Sequence, residues 1–143
     1  MIQSKFGNGW HDSLQYHVMC GDKLFAVRVF WTETLWHHSA WVYDGCVREL
    51  LNSAESLQQS DQDYADLSGS AFRLSVPDSE GIVEVNSDSV DSSLTIRFKP
   101  RNTFPYSAPL GPAVHQADLD CRVTYRGQNF SGLGFCKRYH FEG

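Results

Sequence analysis

Apolar and polar residues alternate along most of this chain, and alternation marks half-buried strands. Leu14, Tyr16, Val18 and Cys20 alternate with Ser13, Gln15 and His17. Gly21-Asp22 is a two-residue turn suited to a tight hairpin. The run from Lys23 to Thr32 then sets Phe25, Val27, Val29 and Trp31 on one face and Ala26, Arg28 and Phe30 on the other. Ser39 to Tyr43 predicts a third strand, ended by Asp44-Gly45. There the period changes. Val47, Leu50, Leu51, Ala54 and Leu57 recur at helical spacing opposite Arg48, Glu49, Asn52, Glu55 and Gln58. Cys46 to about Gln59 therefore predicts an amphipathic helix, with Asp44 placed to cap it.

The stretch from Ser60 to Ser70 is polar and predicts a loop, after which the period returns to two. Phe72, Leu74 and Val76, then Ile82 to Val85, then Leu94, Ile96 and Phe98 form three strands separated by turns. Pro100, Pro105, Pro109 and Pro112 follow in one long connection, and such loops often carry function. Cys121, Val123 and Tyr125 mark the next strand, and Gly127-Gln128-Asn129 turns the chain. On the last strand Leu133, Phe135, Lys137, Tyr139 and Phe141 share one face, while Gly132, Gly134, Cys136, Arg138 and His140 share the other. Two glycines on one face suit a bend at a barrel corner or a close approach to the backbone. The pattern predicts a mainly β, antiparallel barrel of about eight strands with one short helix, spanning residues 1–143 as a single domain. A barrel of about eight strands has room for one small ligand.

Composition narrows the function. The net charge is −5, which argues against a nucleic-acid partner, since that needs a basic face. No run approaches a membrane span, and the first ten residues lack the apolar segment of an export signal, so a cytoplasmic location is expected. Charge is uneven. Residues 44–91 carry eleven acids against Arg48 and Arg73, whereas the chain from Arg97 onward is net positive. Asp61, Asp63 and Asp66 offer clustered oxygen ligands for calcium but fail the EF-hand loop, where Ala65 and Asp66 occupy the fifth and sixth positions. Cys20, Cys46, Cys121 and Cys136 form no Cys-x-x-Cys pair and read as reduced thiols. No metal site and no cofactor is expected, because no ligand spacing, nucleotide fingerprint or phosphate loop is present.

The densest chemistry lies at Trp31, Glu33, Trp36, His37, His38, Trp41 and Asp44. Three tryptophans this close line either a core or an aromatic cavity with a polar mouth. Adjacent histidines on a strand point to opposite faces, so His37 and His38 do not share a metal. Glu33, His37 and His38 are the candidate proton-handling groups, with Tyr139 and His140 as helpers. Trp31, Trp36, Trp41, Tyr43 and Phe135 are the candidate ligand walls. His115 and Asp118 are further titratable candidates.

The segment Gly132-Leu133-Gly134-Phe135-Cys136-Lys137-Arg138-Tyr139 resembles the closing strand of lipocalin-like domains of the carotenoid 1,2-hydratase (hydroxyneurosporene synthase) type. The resemblance covers about 20 of 143 residues. It departs at Lys137, where an acid is commoner, and in length, which suffices for one barrel where that family usually has two. It implies a lipocalin-like barrel that binds apolar molecules such as polyenes, terpenoids or polyketide-like chains, and in some members hydrates, isomerises or cyclises them. The expectation is a cofactor-independent cyclase, isomerase or hydratase of secondary metabolism, or alternatively a non-catalytic carrier or sensor of the same ligand class. Surplus aromatics and edge strands also make a homodimer an open expectation.

Overall fold

The computed structural model describes residues 10–32, 34–59, 66–75, 80–86, 93–101 and 114–142. Eleven strands form one antiparallel sheet. They are β1 Trp10–Cys20, β2 Lys23–Thr32, β3 Trp36–Tyr43, β4 Val47–Ser53, β5 Gln58–Gln59 and β6 Asp66–Ser68. Then come β7 Phe72–Ser75, β8 Gly81–Val85, β9 Leu94–Pro100, β10 Val114–Tyr125 and β11 Gln128–Glu142. The order across the sheet is β4-β3-β2-β1-β11-β10-β9-β8-β7-β6-β5, so the first and last strands of the chain meet at its centre. Every neighbouring pair except β1 with β11 is consecutive in sequence, which keeps the connections short.

The sheet curls until its wings face each other. Tyr16 on β1 meets Phe98 on β9 with ring centroids 5.1 Å apart, and Phe25 on β2 meets Tyr125 on β10 at 5.7 Å. Farther round, His38 on β3 reaches Phe72 on β7 at 5.3 Å. One continuous core fills the concave side, built from the alternate residues that the sequence pattern marks as apolar. Full burial of side chains such as Phe25, Phe72 and Leu74 is worth about 1.5–3 kcal/mol each. The two edges, β4 and β5, are not laddered to each other. Residues 54–57 join them directly, and hydrogen bonds tie this link to the connection between β6 and β7. Glu55 accepts hydrogen bonds from the Ser70 amide (3.0 Å) and the Ser70 hydroxyl (2.5 Å).

β1 and β11 approach closely where two glycines face β1. A Cβ at Gly132 would strike the Met19 carbonyl, and one at Gly134 would lie 2.5 Å from the His17 carbonyl oxygen. These are the two glycines that the sequence pattern assigns to a barrel corner or a close approach.

Two expectations are corrected. Residues 46–59 form no helix; they form β4 and β5, and no helix occurs among the described residues. The helical spacing of Val47, Leu50 and Leu51 comes from a β-bulge. Trp41 pairs with Glu49 while Ala40 pairs with Leu51, so Leu50 is an extra residue that breaks the alternation. The strand count is eleven rather than about eight, because β4, β5 and the short β6 inside the predicted loop add pairs. The turns at 76–79 and 87–92, and most of the proline-rich connection, lie outside the described residues.

Candidate functional site

Strand parity divides the predicted site residues between the two faces of the sheet. On β2 the odd residues face inward, and on β3 the even ones do. Trp31 and Trp36 therefore stand opposite each other on the inner face, where the β2–β3 hairpin ends. Their rings stack 5.1 Å apart at 7°. The hairpin end is braced by Thr32, whose amide donates to the Leu35 carbonyl at 2.8 Å and whose hydroxyl accepts from the Leu35 amide at 3.0 Å. Trp31 is buried and Trp36 half-buried, so the pair forms a wall at the mouth of the curl.

One row deeper stands His38, opposite Val29 on one side and Ser53 on the other. It is fully buried, and neither ring nitrogen has a hydrogen-bond partner among the described residues. A neutral imidazole carries one donor and one acceptor, and leaving such groups unmade in an apolar wall costs roughly 1–3 kcal/mol. Burial pushes the His38 pKa below the ordinary histidine value; the nearby Glu55 carboxylate pulls it partly back, and His37 adds to the lowering. His38 is thus a neutral, desolvated imidazole. Phe72 packs against it from the far wing, and Glu55, in the link between β4 and β5, accepts a hydrogen bond from Ser70 in the connection between β6 and β7. A hollow of about 300 Å³ lined by Glu55, Ser56, Gln58, Ser68 and Gly69 opens beside that contact.

The other predicted residues lie elsewhere. His37 points outward, and its Nε2 lies 2.6 Å from Asn52 Oδ1. Trp41 and Tyr43 share a face, as the pattern requires, but it is the outer one. Phe135 is also outside, stacked on His17 at 4.9 Å, with Lys137 over its ring at 5.6 Å. Glu33 lies outside the described residues, as do Asp61 and Asp63 of the calcium candidate and the side chains of His115, Tyr139 and His140. The β11 backbone sets Tyr139 opposite Ser13 and His140 opposite Asp12. Asp44 holds Arg48 at 3.2 Å rather than capping a helix, and Asp118 is exposed on β10.

Sequence reading missed Phe72, the Glu55–Ser70 latch and the orphaned hydroxyls of Ser13 and Tyr125. The parity of Phe72 was legible, but its partner across the barrel was not. None of the four cysteines is in a disulfide, and Cys20, Cys121 and Cys136 are buried. Burial raises Cys20 and pushes Cys121 up to about 12, so these two are unreactive core groups. No cluster of three metal-binding side chains occurs among the described residues. Nor does any helix long and apolar enough to cross a membrane.

The curled meander with its filled concave face is a lipocalin-like barrel fold. Two solved structures are similar to it. One is an AttH-like protein of Nitrosomonas europaea (NE1406), with TM-score 0.53 and 8% identity; the alignment covers 96% of this chain and 56% of that one. The other is CghA, solved with Sch210972, with TM-score 0.52 and 15% identity, covering 94% of this chain and 42% of that one. The chain thus spans about half the length of either neighbour. No family model and no curated protein matches it.

Proposed function

We propose that this protein takes up an apolar small molecule bearing one hydrogen-bonding group, and acts on it without a cofactor as an isomerase, cyclase or hydratase. The observation that carries the reading is His38: a buried, neutral imidazole with both nitrogens unpartnered, between a tryptophan wall and Phe72. Orphaned buried polar groups are rare in folded proteins, and a bound ligand is one way to satisfy them. The entry route is the hollow beside Glu55, and because His38 is fully buried, uptake requires the contact of Glu55 with Ser70 to open. Inside, the ligand's carbonyl or hydroxyl pairs with a His38 nitrogen, and its apolar body lies against Trp31, Trp36 and Phe72.

The chemistry follows from the same group. A neutral imidazole accepts a proton from one carbon of the ligand, and the resulting imidazolium returns it at another. That cycle is an isomerisation and consumes nothing. Desolvation favours the return step, because it disfavours the charged ring. The likeness to CghA, solved with Sch210972, supports an organic small-molecule ligand for this fold.

A carrier is the second reading. The engagement of Glu55 with Ser70 favours it, because His38 is left without a hydrogen-bonded acid among the described residues. One titration separates the two. Polyenes, terpenoids and polyketide-like compounds are added to wild type, His38→Gln and His38→Phe, with tryptophan fluorescence reporting binding and chromatography reporting conversion. The enzyme reading predicts conversion by wild type alone. Affinity should fall roughly tenfold in His38→Phe, the cost of one lost hydrogen bond. Tight binding with no conversion selects the carrier. Equal affinity of wild type and His38→Phe for every bound compound would contradict both.

A further inference from the structure

Two hollows open against the outer side of β9, β10 and β11, and they share one row of side chains. The larger, about 480 Å³, takes in Glu80, Arg97, Lys99, Asp120, Arg122 and Ser131. The smaller, about 370 Å³, takes in Arg97, Arg122, Thr124, Asn129 and Ser131. The ladders set Arg97 directly opposite Arg122, and Arg122 directly opposite Ser131. Two guanidiniums and a hydroxyl thus stand side by side on three adjacent strands, all exposed. Like charges directly opposite each other in an antiparallel pair are destabilising. Carboxylates relieve only part of this. Arg122 donates to Glu80 at 2.8 Å. That hydrogen bond holds the Glu80 carboxyl below its ordinary value, and the charges of Arg122, Lys99 and Arg97 add to the lowering. Asp120 stands opposite Lys99 in the ladder, but its carboxylate pairs with Arg101 at 3.6 Å. Both acids of the larger hollow are therefore engaged. Arg97 and Lys99 are left with no ion pair or hydrogen bond among the described residues.

We propose that the row of Arg97, Arg122 and Ser131 is a binding site for a dianionic oxyanion, the phosphate group of a soluble phosphorylated molecule. Two uncompensated cations call for a doubly charged partner. A phosphate monoester carries nearly two charges at neutral pH and three strong acceptor oxygens. A guanidinium presents a planar fork of donors that matches two such oxygens at once. Seated between Arg97 and Arg122, the group turns their mutual repulsion into a shared attraction. It accepts from the Ser131 hydroxyl and lies in the field of Lys99. A carboxylate brings one charge and two oxygens, enough for one guanidinium only. The site spans three neighbouring strands, so the curvature of the sheet does not hinder a ligand of this size. The larger hollow is within the range of small-molecule sites and leaves room for the rest of the ligand. Its sign agrees with the charge of the chain, which is net positive from Arg97 onward although the whole is −5. The row faces away from the concave side that holds His38, so it does not rest on the function proposed above.

Titration with inorganic phosphate at constant ionic strength tests this, with two-dimensional NMR reading backbone amides and arginine side chains. Phosphate should move the signals of Arg97, Arg122 and Ser131 with a Kd of about 1 mM, as suits an exposed site. Acetate at the same ionic strength should leave them in place. Arg97→Gln and Lys99→Gln should each weaken phosphate at least about tenfold. Both positions are exposed, and the same spectra verify that each variant is folded. Arg28→Gln, on β2, and His38→Phe, on the concave side, should bind phosphate as wild type does. Thermal melting gives a second reading, since a ligand of the folded state raises the midpoint. Phosphate should raise it for wild type and not for Arg97→Gln. Wild type that ignores phosphate up to about 20 mM overturns the proposal, as does an equal response of Arg97→Gln. Shifts that acetate reproduces would be screening alone and would also overturn it. Phosphatidic acid vesicles present the same group on a surface. Wild type that binds them but ignores both phosphate and glycerol 3-phosphate overturns the assignment to a soluble ligand.

Discussion

His38 pulls against the stability of the molecule that holds it. Its nitrogens are desolvated and unpaired, so the empty protein bears their cost and a ligand relieves it. Replacing the ring by phenylalanine removes the unmade hydrogen bonds at similar volume, so His38→Phe should unfold at a higher urea midpoint, by about 1–2 kcal/mol, while losing function. The pH dependence carries the same signature. Burial lowers both His38 and His17 from 6.5, and for His17 the Lys137 charge adds to the effect. Unfolding returns each to its ordinary value, so below 6.5 the unfolded chain binds more protons than the folded one. Stability should therefore be full above 6.5 and fall as the pH drops through it toward the lower folded values. Urea midpoints from about pH 8 to pH 5 check this, and His38→Phe should flatten the curve. An unchanged slope in that variant would mean that His38 stays neutral for no energetic reason. His38 was legible in the sequence as a candidate because adjacent histidines on a strand must part. Its orphaned state was not, because that depends on Phe72, thirty-four residues away in the chain.

At the scale of elements, the period of two was enough wherever a strand is regular. Phe25, Val27, Val29 and Trp31 face the core as their alternation requires, and the Gly21-Asp22 turn joins β1 to β2. The pattern misled at β4, where the bulged Leu50 placed three apolar residues at helical spacing. A bulge and a helix turn leave the same local trace, and only pairing with β3 separates them. The short strands β5 and β6 are two and three residues long, too short for any period to show. The glycine pair on β11 was legible, and its role has a direct test. Gly134→Ala drives a methyl toward the His17 carbonyl and the Cys121 sulfur, which lies 3.1 Å away. The closest obstacle is backbone, which yields little, so the variant should lose about 2–4 kcal/mol or fail to fold. Thermal denaturation checks this; a loss below about 0.5 kcal/mol would mean that the β1–β11 bend relaxes freely.

Taken whole, the molecule is a sheet rolled almost shut, its edge strands joined by residues 54–57 and that link tied to the connection between β6 and β7 by Glu55 and Ser70. That arrangement gives the two faces different work. The concave side holds the core and, at its mouth, the tryptophan pair and His38. The convex side carries Trp41, Tyr43 and Phe135, which the sequence pattern groups with the cavity because parity alone cannot say which face is inside. The barrel class was legible from the number of alternating runs, but the extent of the curl was not, since it follows from contacts between distant wings. On the proposed function, the mouth takes up an apolar molecule. Native mass spectrometry after exposure to host extract tests it most directly, with denaturation releasing whatever is bound. Wild type should carry one apolar, oxygen-bearing molecule per chain, and His38→Phe should hold the same molecule about tenfold more weakly. A clean mass for wild type, with no uptake of apolar dyes, would contradict it and mark the interior as a packed core.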